Sequence, residues 1–151
     1  MKKGLVFLIL LLILLSFTSE TLATSKDNTV ELKIYFYDQE DFLIGVPCLI
    51  KINGFSKVGI VKRAIKKLLE GPERNDLFSF IPKGTKLNHA ILLGETIILD
   101  FSKELQSYGG GSFNVLHIRE QFEKTLYQFS FVKNIIFLVN GRGEESGVLQ
   151  P

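Results

Sequence analysis

The hydrophobic period of this chain switches between two residues and about 3.6 along its length, and that switch restricts it to folds that mix strands with helices. Val30, Leu32, Ile34 and Phe36 alternate with Glu31, Lys33, Tyr35 and Tyr37, the pattern of a half-buried strand. Four polar residues, Asp38-Gln39-Glu40-Asp41, then read as a turn. Residues 42–52 are apolar again, with Pro47 near their middle. Proline cannot donate to a ladder, so this second strand is expected at an edge or to be irregular. After the turn signal Asn53-Gly54, Ser56 is a candidate N-cap. Val61, Ala64, Ile65, Leu68 and Leu69 follow at helical spacing, and Gly71-Pro72 stops the helix.

Residues 73–80 read as a loop with room for one helical turn, and 81–85 as a turn. Residues 86–93 and 96–101 read as two strands joined at Gly94-Glu95. Residues 102–106 form one helical turn, and Ser112 is expected to cap a second helix over residues 113–128. Its apolar side is read as Val115, Leu116, Phe122, Leu126 and Phe129, with Arg119 reaching to the rim. Residues 134–139 form the last strand, ended by Asn140-Gly141. The order β-β-α-β-β-α-β predicts an α+β two-layer sandwich: a four- to five-stranded mixed sheet with both helices on one face. Such a domain leaves one sheet face uncovered, and Glu31, Lys33, Tyr35 and Tyr37 are expected on that face.

Ahead of the domain, Met1-Lys2-Lys3 precedes an uncharged apolar stretch from Gly4 to Phe17, followed by Thr18-Ser19-Glu20-Thr21-Leu22-Ala23. This is the layout of a secretory signal peptide with cleavage after Ala23. The apolar stretch is shorter than the roughly 20 residues of a spanning helix; an uncleaved N-terminal anchor is the alternative. No cysteine follows the stretch, so no lipid anchor is expected. Residues 1–23 are thus read as leader, 24–29 as flexible lead-in, 30–141 as the domain and 142–151 as a flexible tail. Cleavage leaves 128 residues, enough for one domain with a real core. It also brings the net charge from +2 to +1, against an obligate nucleic-acid binder. Cys48 is the only cysteine, so it has no partner within the chain. Thirteen Phe and no Trp mean that phenylalanine fills much of the core.

Chemistry is hard to place on these residues. His89 and His117 lack partners at ligand spacing, so no metal is expected. No G-x-S-x-G elbow occurs, and Gly110-Gly111-Ser112 lacks the ending of a phosphate-binding loop. Asp38, Glu40 and Asp41 cluster without the spacing of a calcium loop, and Asp100 is read as capping the turn at Ser102. The face of the first helix opposite its apolar stripe carries Lys62, Arg63, Lys66 and Lys67. That is either a solvated helix face or a contact surface for an anionic partner.

Several of these segments resemble GerMN domains, the sporulation and spore-germination module. Tyr35-Phe36-Tyr37-Asp38 resembles the opening strand, and Leu68-Leu69-Glu70-Gly71-Pro72 the family's L-L-x-G-P helix end. Ile81-Pro82-Lys83-Gly84-Thr85-Lys86-Leu87 is similar to its I-P-x-G-T-x-L block, and Ile98-Leu99-Asp100-Phe101-Ser102 to its V-D-L-S strand end. The helix around Thr125-Leu126 and the closing Val139-Asn140-Gly141 complete the series, with Asn140 where the family commonly has Asp. The resemblance runs from about residue 33 to 143. It implies a non-enzymatic domain on the outer side of the membrane that assembles or stabilises envelope complexes.

The expected function is a non-catalytic extracytoplasmic binding or assembly module of the bacterial cell envelope, with no cofactor. Tyr35, Tyr37, Lys62, Arg63, Lys66 and Lys67 form its candidate interaction surface. Its partner is expected to be an envelope protein or a cell-wall polymer, membrane contact is confined to the N-terminal segment, and oligomerisation stays open. The alternatives are a small envelope enzyme using Asp38, Glu40, Asp41 or Asp100, or a ligand-binding protein, acting on wall glycans.

Overall fold

The computed structural model describes residues 29–51, 56–143, 148 and 149. The leader, its cleavage site and the Asn53-Gly54 turn lie outside these residues. Strand β1 (Thr29–Asp38) and strand β2 (Leu43–Lys51) form an antiparallel hairpin. Asp38 closes its turn: Oδ1 accepts from the amides of Glu40 at 3.0 Å and Phe42 at 2.9 Å. The small side chain of Asp41 tolerates the left-handed backbone there, φ 61°. Opposite Tyr35 the chain has glycine, and a Cβ on Gly45 would stand 3.0 Å from the tyrosine ring and push it aside.

After helix α1 (Lys57–Glu70) comes strand β3 (Leu77–Phe78), in a stretch expected to be loop. Strands β4 (Leu87–Leu93) and β5 (Thr96–Phe101) form the second hairpin. A 3-10 turn (Lys103–Gln106), helix α2 (Ser112–Tyr127) and strand β6 (Asn134–Val139) complete the fold. The class is α+β as expected, but the strands form two three-stranded sheets, β2-β1-β3 and β4-β5-β6, instead of one larger sheet. The first is antiparallel; in the second, β6 runs parallel to β5.

The physical reason for two sheets lies on the edge of β1 away from β2. β3 pairs with that edge only at Tyr37 and Asp38. Further along, α2 takes the place of a strand. Gln128 bonds both backbone groups of Lys33, accepting from N–H at 2.9 Å and donating to C=O at 2.8 Å. Thr125 Oγ1 accepts from the Tyr35 amide at 3.3 Å, and Gln121 donates to the Tyr35 carbonyl at 3.1 Å. These polar side chains, spaced four and three residues apart on one helix face, satisfy an edge that would otherwise recruit another strand. Because Lys33 and Tyr35 point their backbone groups at α2, Pro47, opposite Lys33, lies at a non-bonded position with its nitrogen on the outer edge of β2. Proline costs this ladder nothing.

Both helices share one apolar core with the two sheets. Leu32, Ile34 and Phe36 of β1 and Ile97, Leu99 and Phe101 of β5 meet Val61, Ala64, Ile65 and Leu68 of α1 and Val115, Ile118, Phe122 and Leu126 of α2. Ser56 starts α1 as expected, its Oγ accepting from the Gly59 amide at 3.2 Å. Ser56→Ala is expected to cost about 1 kcal/mol, read as a lowered urea midpoint at unchanged slope. Helix α2 differs from expectation at its start and on its face. Gly111 is its N-cap, without a side-chain bond, and Leu116 is 61% exposed while Ile118 is buried. Arg119 lies over the Phe137 ring, 5.3 Å from its centroid, and donates to the Leu149 carbonyl. Val148 and Leu149 are themselves buried, so these two residues of the expected flexible tail belong to the core.

Candidate interaction surfaces

The residues expected to face outward on β1 have separate fates. Tyr35 is half-buried over Gly45. Tyr37 shares its side of the strand but is only 1% exposed, so it leaves the candidate surface. Alternation puts Tyr37 on the same side of β1 as Tyr35, but that end of the strand is not free: the segment carrying β3 and helix α2 cover it. Phe80 meets its ring edge-on at 5.1 Å, His117 lies 4.8 Å away, and its hydroxyl donates to Glu120 Oε2 at 2.7 Å. Burial, and then the hydrogen bond and charge of Glu120, push the Tyr37 phenol well above the ordinary tyrosine range. His117, expected at the surface or its boundary, is half-buried in this cluster, 4.0 Å from the Phe113 ring.

Two of the four candidate acids serve the backbone, while Glu40 and Asp41 are exposed in the first turn. Asp38 closes the first hairpin, and Asp100 Oδ1 accepts from the Gly141 amide at 2.8 Å, holding the Asn140-Gly141 turn in place of the expected turn at Ser102. His89 Nδ1 is 3.6 Å from the other oxygen of Asp100. Among the described residues, no group of three or more His, Cys, Asp or Glu is placed to hold a metal ion.

The basic residues of α1 form a crest with a groove on each side. Lys62 and Lys66 are exposed along the crest; Arg63 and Lys67 are half-buried on one flank. Toward β4, Lys62, Lys66 and Lys86 line an open groove of about 470 Å³ with Leu69, Thr85 and Leu87. Toward β2, Arg63, Lys66, Lys67 and Lys51 line one of about 270 Å³ with Leu49 and Ile50. Glu70 is the carboxylate on both linings. It bonds Lys67 at 3.0 Å, raising that ammonium's pKa, and stands 4.0 Å from Lys66.

A further surface is visible only in the fold. On the face of the second sheet away from the core, the register aligns Ile91, Ile98 and Ile136 in one row across three strands. Leu93 extends the row along β4 and Leu138 along β6. Ile91 is 51%, Leu93 62% and Ile136 42% exposed; Ile98 and Leu138 are half-buried. The near-continuous apolar runs of these strands were the available signal, because helices on one side cannot cover both faces.

The fold is that of a small α+β domain whose two helices bridge two sheets. Residues 33–145 match the family described as sporulation and spore germination (Germane), and the chain belongs to that family. Three solved structures share the fold. The tandem GerMN domains of the sporulation protein GerM from Bacillus subtilis are 24% identical at a TM-score of 0.58, covering 77% of this chain and 40% of that one. The first GerMN domain of the same protein is 23% identical at a TM-score of 0.59, covering 76% and 86%. A candidate lipoprotein of Clostridium perfringens is 21% identical at a TM-score of 0.52, covering 76% of each chain. This chain therefore spans two fifths of the tandem protein's length. No curated protein matches it.

Proposed function

We propose that this chain is a non-catalytic binding module of the bacterial envelope, held outside the cytoplasm, that docks an envelope protein through the outer face of its second sheet. The observation that carries this reading is the exposed row Ile91–Ile98–Ile136 with Leu93 and Leu138 beside it. Contiguous apolar surface of this kind marks interaction sites in soluble domains. The turn roles of Asp38 and Asp100 favour binding over catalysis, because a general acid or base needs a carboxyl group free to meet a substrate. The leader at residues 1–23 supports export, as does the candidate lipoprotein among the proteins of like fold. Membership of the sporulation and germination family supports a part in sporulation or germination.

A photo-reactive residue placed at Ile136 tests this in envelope fractions of the native host. The expected result is a discrete protein adduct at Ile136 and none from the same probe at Lys124, exposed on α2. Equal labelling from both positions, or none from Ile136, contradicts it.

A further inference from the structure

We infer that the grooves flanking α1 bind a polyanionic phosphodiester chain, a polymer of the cell wall. This adds a second ligand to the binding-module reading and rests on it only for the location outside the cytoplasm.

The cations are arranged in depth. Lys62 and Lys66 occupy the crest, four residues and therefore about 6 Å apart along the helix. Lys86 stands in the groove on one side, and Lys51, Arg63 and Lys67 in the groove on the other. A planar membrane would meet the crest and leave the flanks unused. A slender chain can lie along either groove and meet crest and flank together. Arg63, half-buried on the flank toward β2, adds a guanidinium, the side chain best shaped to grip a phosphate through two donors. The pairs with Glu70 do not remove the site, because exposed ion pairs contribute little and exchange readily. The near-neutral chain gathers these cations on one helix and the strand ends beside it, so the charge is local and does not mark a general polyanion binder.

The test is titration of the full chain with poly(glycerol phosphate), anionic phosphatidylglycerol vesicles and poly-glutamate, each at about 50 mM and about 200 mM salt, a range over which phosphate contacts weaken steeply. The polymer is expected to bind at low salt, with vesicles and poly-glutamate binding at least about tenfold more weakly. Lys62→Gln with Lys66→Gln should weaken polymer binding about tenfold and lower the salt slope by roughly 1.4, the value for two phosphate contacts on a flexible strand. Both side chains are exposed, so the fold is kept. Lys124→Gln with Lys133→Gln, exposed elsewhere, should change nothing. No polymer binding, preference for vesicles or poly-glutamate, or an equal loss from both double variants would overturn the inference. A polymer failure beside a discrete Ile136 adduct removes this inference alone; loss of the adduct strikes the sheet-face reading.

Discussion

Replacing Phe122 by alanine is expected to destabilise the fold by about 4 kcal/mol, lowering the melting temperature by roughly 15 °C at about 4 °C per kcal/mol. Phe122 is fully buried on α2, its ring 4.9 Å from Phe101 of β5 and 5.5 Å from Phe137 of β6. Removing it takes away apolar contact with two strands at once and leaves a cavity that neither ring can close without moving its sheet. Phe122→Leu keeps much of the volume and should cost about half as much. Calorimetry on the three proteins checks the order. Equal melting temperatures for the native chain and Phe122→Ala would mean that α2 is not seated on the second sheet.

Gln121→Leu is expected to cost about 3 kcal/mol although it exchanges a polar side chain for an apolar one of similar size. Gln121 has no exposure to water. Its amide donates to the Tyr35 carbonyl at 3.1 Å, and its Oε1 accepts from the Phe80 amide at 2.9 Å and from the Ser79 hydroxyl at 3.3 Å. Leucine would leave the carbonyl of β1 and the amide beside β3 without partners, and those two unmade bonds dominate the cost. Gln128→Leu is the informative contrast. Gln128 bonds β1 in the same way but is exposed, so water replaces it and the expected cost is below about 1 kcal/mol. Urea unfolding of both variants measures the difference; equal midpoints would show that burial of Gln121 carries no penalty.

That same glutamine shows where sequence reading succeeds and stops. The strands of both hairpins and the two helices are legible because each element repeats its own hydrophobic period, and the basic face of α1 is legible for the same reason. The division into two sheets is not. It depends on Gln121, Thr125 and Gln128, which read as ordinary polar positions and become visible only when their spacing is matched to the backbone of β1. Tyr37 is a related case: the period of β1 sets its direction, but a two-residue strand and the residues after it, too short to show a period, decide that it is covered. The apolar row Ile91–Ile98–Ile136 needs strand order and register, neither of which local pattern supplies.

Ile136→Asp tests the docking face most directly, with stability and partner capture read on the same protein. Ile136 is on the outer side of an edge strand, so the substitution should cost less than about 1 kcal/mol while abolishing recovery of the protein captured through that position. A variant that folds and still retains its partner in full, or one that unfolds because this face is core, would contradict the account.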